Sequence, residues 1–175
     1  MGAIKLPRKS IQFFENNYQQ IFQDGALAEG QWNQESSNIV KEFTGMAYAV
    51  PVASNGTGMA AMMQMMKYLY KRDSVLIQSN TMYGVLTMVN ASGLEVKGII
   101  DCDPIFLVPS LEMIQRYTNT LSAEQKNRLI ILLSHIGGII NPWMEEITEY
   151  CNEENIMLLE DCAHSYAALL NNKHS

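Results

Sequence analysis

Residues 46–63 read MAYAVPVASNGTGMAAMM, and the character of the chain changes twice within them. Residues 46–53 are short and apolar, which reads as a strand. Pro51 lies inside it and favours an edge position, because proline cannot donate to a ladder. Ser54-Asn55-Gly56-Thr57-Gly58 reads as a turn. Met59, Met62, Met63, Met66 and Leu69 then recur at helical spacing, and a methionine stripe of this kind is core filler. Strand, glycine turn and helix follow one another without a linker.

The same rhythm continues downstream. Strands are expected at residues 75–77, 96–101, 129–134 and 156–159. Helices are expected at residues 82–92, from a Ser110 cap to about Thr118, and from Pro142, a tolerated early position. The strands are continuously apolar rather than alternating. That is the pattern of an α/β fold, a three-layer sandwich whose mostly parallel sheet is covered on both faces. Upstream, Ile11, Phe14, Tyr18 and Phe22 mark a helix over residues 10–23, stopped by Asp24-Gly25, and a second helix covers residues 33–43 and ends at Gly45. The expected division is an N-terminal helical segment, residues 1–45, followed by the sheet domain, residues 46–175.

The composition suits a packed globule, with 47% apolar and 17% charged residues among 175. The net charge of -6 is spread without long runs, which argues against a nucleic-acid surface or a polybasic membrane anchor. No segment approaches the roughly 20 apolar residues of a membrane-spanning helix, and the first ten residues do not read as a signal peptide. Cys102, Cys151 and Cys162 form no CxxC pair and no zinc pattern with the histidines. The expected setting is a reducing cytoplasm.

Parallel sheets bind ligands at the C-terminal ends of their strands, which narrows the search for chemistry. The turn of Ser54, Gly56, Thr57 and Gly58 opens a helix, whose free N–H groups and dipole suit a phosphate. It is neither a Walker loop nor GxGxxG, and it reads equally as a capped strand-to-helix turn. Asp161 follows an apolar strand and needs a partner there, either a cap or ion pair or a cationic ring nitrogen. Glu160 should point the other way. Tyr83 could cover a planar ligand, although a tyrosine there is more often core. His164 and His135 could bond a ligand oxygen, although a single histidine at a strand end is more often structural.

Residues 45–58, G-M-A-Y-A-V-P-V-A-S-N-G-T-G, resemble the segment ending S-S-G-T-A in the DegT/DnrJ/StrS-type sugar aminotransferases. Residues 24–30 resemble that family's approach loop. Residues 158–165, L-L-E-D-C-A-H-S, match its E-D-x-A-[HQ] strand end, and residues 101–104 match its D-x-D-P. The resemblance implies the large domain of the aspartate-aminotransferase fold and pyridoxal phosphate as cofactor. Gly56 and Thr57 would hold the phosphate, and Tyr83 would stack on the ring. Asp161 would pair with the ring nitrogen and keep it protonated, and His164 would lie near the ring's phenolic oxygen. The reaction implied moves an amino group from an amino acid such as glutamate to a nucleotide-linked keto-sugar, in a homodimer when the protein is complete.

Two substitutions, Asn55 for serine and Gly58 for alanine, are mild for a site built on backbone. The family's Schiff-base lysine would fall beyond the E-D motif. Lys173 is the only lysine after Asp161, and it lies where the family has a turn. The chain is therefore expected to be an incomplete large domain, inactive alone, with no catalytic residue of its own and with residues 46–53 stranded from the other four strands. Three alternatives stand beside this: a dehydratase of the same family, with histidine in place of the lysine; a non-catalytic binding or assembly protein built on the fold; and a nucleotide-binding Rossmann-like domain, disfavoured because Asp73 precedes its strand instead of ending it.

Overall fold

The computed structural model describes residues 5–174. Contacts between residues divide the chain between Pro51 and Val52 into two compact units.

In the first unit, α1 (Arg8–Gln23) and α2 (Gln31–Thr44) match the two helices expected from periodicity. Gly45 closes α2 in the left-handed region, its N–H donating to the Lys41 carbonyl. Phe13 meets Trp32 edge to face at 5.8 Å. No residue of α1 is buried, so the stripe of Ile11, Phe14, Tyr18 and Phe22 remains exposed.

The second unit begins with α3 (Asn55–Tyr70) and continues as β1 (Ser74–Gln78), α4 (Tyr83–Ala91), β2 (Glu95–Ile100), α5 (Leu111–Thr118), α6 (Ala123–Lys126), β3 (Leu129–Ser134), α7 (Met144–Glu153) and β4 (Met157–Asp161). It ends in a two-stranded hairpin, β5 (Leu169–Leu170) and β6 (Lys173–His174). Asn171 and Asn172, both at positive φ, turn that hairpin. The four long strands form one parallel sheet in the order β2-β1-β3-β4.

Every residue of β1 and β3 is buried, because neighbouring side chains enter different layers. Val75, Ile77, Ile130 and Leu132 pack with Met59, Met63 and Met66 of α3 and with Val85 and Val89 of α4. Leu76, Leu129, Ile131 and Leu133 pack on the other face with Ile114 of α5 and Ile147 of α7. Two covered faces explain why these strands are continuously apolar. The sheet is the centre of a three-layer α/β sandwich.

One expectation fails. Residues 46–53 form no strand. Met46, Tyr48, Val50 and Val52 are at least half exposed, and no ladder takes this segment's backbone among the described residues. An apolar run becomes a strand only where a neighbour accepts and donates, and Pro51 offers no N–H in any case. Two smaller differences concern α3 and α6. The glycine turn is already the first turn of α3, so Ser54 is the cap and the helix starts at Asn55. Met62 and Leu69 face outward, leaving a narrower buried stripe than the sequence suggested. The short α6, with its Ser122–Gln125 capping box, was not expected. No helix among the described residues is long and apolar enough to cross a membrane.

Candidate functional site

A cavity of about 260 Å3 opens at the C-terminal ends of β3 and β4. Asn55, Gly56 and Met59 of α3 form one side. Met82, Gly84, Val85 and Met88 form another, at the start of α4. Ser134, His135 and Ile136 follow β3, and Asp161, Ala163 and His164 follow β4.

Ser54 sets the α3 end of the cavity. Its Oγ accepts the Thr57 N–H at 3.1 Å and lies 3.0 Å from the Thr57 hydroxyl, so both polar groups of Thr57 are engaged within the cap. Thr57 does not line the cavity. The N–H groups of Asn55 and Gly56 make no hydrogen bond among the described residues, and these are the donors a helix N-terminus offers an anion. Gly56 also keeps the wall thin. A Cβ there would lie 3.2 Å from the Met88 sulfur.

Asp161 ends β4 opposite Ser134. Its Oδ1 accepts the Asn55 side-chain amide at 2.9 Å and the Ala163 N–H at 3.2 Å. Among the described residues its Oδ2 has only the Ser134 hydroxyl, at 3.5 Å. Gln78, almost fully buried, holds Ser134 by its backbone, donating to the Ser134 carbonyl at 2.8 Å and accepting its N–H at 3.1 Å. Thr81 meets the Ser134 hydroxyl at 2.8 Å.

His164 is held by the turn after β3. The Gly137 N–H donates to its Nδ1 at 3.2 Å, so in the neutral ring Nε2 carries the hydrogen and is a donor for a ligand oxygen. Gly138 makes this possible. It sits at φ +80°, and a Cβ would lie 2.9 Å from the His164 carbonyl oxygen.

His135 serves the protein instead. Its buried Nε2 lies 2.9 Å from Glu160 Oε2, and its Nδ1 accepts the Asn141 N–H at 3.3 Å. Burial opposes the charged ring, but hydrogen bonds to Cys162 and Glu160 outweigh it and push its pKa up to about 9. The long Asn141 contact is the one given up on protonation. His135, Glu160 and Cys162 bring one ligand-type atom each to within 4.8 Å of one another. The Asn141 N–H leaves the ring's hydrogen on Nε2, the nitrogen a cation would need, so the cluster suits hydrogen bonding better than ligation. Glu160 and Asp161 point to different partners, as strand alternation requires.

Tyr83 opens α4 and is 81% exposed. Met82 and Gly84 beside it line the cavity, but its ring does not. Of the expected site residues, the fold thus brings together Gly56, Asp161 and His164, leaving Thr57 and Tyr83 next to the wall. Sequence reasoning missed Asn55, Ser134, Gln78 and the Met82–Val85–Met88 wall. Only Gln78 had a visible signal, an amide closing an apolar strand.

The sequence profile of the DegT/DnrJ/EryC1/StrS aminotransferase family matches residues 9–175. The chain belongs to this family. Solved structures agree on the fold. The aminotransferase from Psychrobacter cryohalolentis superposes with a TM-score of 0.73 at 15% identity, covering 94% of this chain and 39% of that one. A 3-amino-5-hydroxybenzoic acid synthase gives 0.75 at 15% identity, covering 99% and 42%. A GDP-4-keto-6-deoxymannose-3-dehydratase, solved with a trapped PLP-glutamate geminal diamine, gives 0.72 at 21% identity, covering 91% and 41%. The chain thus spans about two fifths of the length of these solved structures.

Proposed function

We propose that this cavity holds pyridoxal phosphate and forms part of an aminotransferase acting on a nucleotide-linked keto-sugar, with an amino acid such as glutamate as donor. The observation that carries the reading is the pairing of two opposite features in one cavity. Unpartnered N–H groups at the start of the 16-residue α3 suit a phosphate, and a carboxylate with one under-used oxygen, Asp161 Oδ2, suits a cationic ring nitrogen. Met82, Val85 and Met88 offer an apolar wall for a flat ring. When bound, the cofactor supplies an electron sink for chemistry at the amino carbon.

The chain's own residues have separable tasks in this reading. Gly56, with Thr57 completing the turn, holds the phosphate. Asp161 keeps a proton on the ring nitrogen. His164 donates Nε2–H to the ring's phenolic oxygen. Tyr83 covers the outer ring face once it turns inward. Lys173, the only lysine after Asp161 in this sequence, lies in β6 and is given no task at the cofactor. The keto-sugar, the amino donor and a second subunit are further parts of this proposal.

The test is binding of pyridoxamine 5′-phosphate, which lacks the aldehyde that labels surface lysines, followed by fluorescence. Saturable binding is expected, and Asp161→Asn should weaken it about 10- to 100-fold, the worth of a charge-assisted hydrogen bond. Equal affinity in the wild type and the variant would remove the assigned role of Asp161.

A further inference from the structure

Asn55 does more than open α3. Its side-chain amide crosses 106 positions of sequence to donate to Asp161 Oδ1 at 2.9 Å. The α3 end of the cavity is thereby tied directly to the carboxylate end. With Ala163 also on Oδ1 and only the distant Ser134 hydroxyl on Oδ2, the carboxylate has one oxygen committed and one available. A carboxylate held this way cannot rotate without breaking two hydrogen bonds. A serine at position 55 would be too short to span the same gap, since its Oγ stands where the asparagine has its Cγ.

We propose that Asn55 is a positioning residue, which fixes the Asp161 carboxylate so that Oδ2 is presented to a protonated ring nitrogen before the ligand arrives. The inference rests on the cofactor reading above and adds to it a residue that acts through Asp161 and not on the phosphate. Asn55's own backbone N–H stays in place when its side chain is changed, so the two ends of the cavity can be tested separately.

The experiment uses the full chain with two probes, pyridoxamine 5′-phosphate and inorganic phosphate. The variants are Asn55→Ala, Asn55→Ser, Asp161→Asn and the double variant Asn55→Ala/Asp161→Asn, each checked for folding by circular dichroism. Asn55→Ala and Asn55→Ser should each weaken pyridoxamine phosphate about 5- to 10-fold, the range for one lost hydrogen bond. They should also move deprotonation of the bound ring, read from its absorbance, to lower pH. Inorganic phosphate should stay within about twofold, and Asn55→Ala should add little to Asp161→Asn, since the two act through one contact. If Asp161→Asn weakens binding while both Asn55 variants keep the wild-type affinity and pH profile, the inference fails and the cofactor reading stands. If the Asn55 variants weaken inorganic phosphate equally, Asn55 acts at the phosphate and the inference is overturned. If wild type binds no pyridoxamine phosphate, the cofactor reading and this inference fall together.

Discussion

Alanine at Gly138 and at Gly137 should have different costs, and the difference isolates a single backbone contact. Both residues lie in the left-handed region, at φ +71° and +80° for Gly137 and Gly138 respectively. A side chain there costs about 1–2 kcal/mol whatever surrounds it. At Gly137 nothing lies within 4 Å of the added Cβ, so that cost is the whole effect. At Gly138 the Cβ meets the His164 carbonyl oxygen at 2.9 Å. A backbone oxygen cannot swing aside as a side-chain tip can, so one of the two segments must move. Displacements of that kind add about 1–3 kcal/mol. Gly137→Ala should therefore lower unfolding free energy by about 1–2 kcal/mol, and Gly138→Ala by roughly 2–5 kcal/mol. Urea denaturation followed by circular dichroism gives both, with unchanged m-values as the sign that the comparison is sound. The Gly138 variant should also disturb the Gly137–His164 hydrogen bond, visible as a shift of the His164 imidazole resonances. Equal losses for the two alanines would mean that the His164 carbonyl yields freely, and the claim that this turn fixes His164 would go with it.

Two further predictions concern ionisation. The His135 pKa is raised in the folded chain to about 9 from an ordinary 6.5, so its contribution to stability is complete below pH 6.5 and is lost as pH rises through about 9. Stability should fall over that window by something on the order of 2 kcal/mol, allowing for the partial exposure of Glu160; Cys162→Ala and Glu160→Gln should each lessen the fall, and an unchanged slope in the double variant would exclude these contacts as its source. Burial pushes the Cys151 thiol up to about 12, so iodoacetamide at pH 8 should alkylate Cys102 and Cys162 well before Cys151, with peptide mass spectrometry reading the order and early labelling of Cys151 counting against its burial.

Much of this architecture was legible from local pattern. β3 was placed correctly because its first five residues are apolar and a turn follows Ser134, and Ser54 and Ser110 announced their helices because capping is a matter of the next three residues. Residues 46–53 misled for the opposite reason. Strand character is completed by a neighbour, and no local pattern reveals whether one is present. The site divides in the same way. Gly56, Asp161 and His164 follow helix starts and strand ends, which the alternation of elements locates. Asn55 meeting Asp161, Gln78 gripping Ser134, and the outward position of Tyr83 depend on how β1, β3 and β4 sit side by side, a register that one-dimensional spacing does not encode.

β4 is the last strand of its sheet, bonded to β3 on one side and without a ladder partner on the other among the described residues. Edge strands fray before central ones. Asp161 therefore rides on an edge strand, with backbone support from one side, and Asn55 anchors it to a long helix. Ordering β4 subtracts from the affinity of a ligand that spans both, so tighter binding should go with slower amide exchange in β4, two readings of one equilibrium.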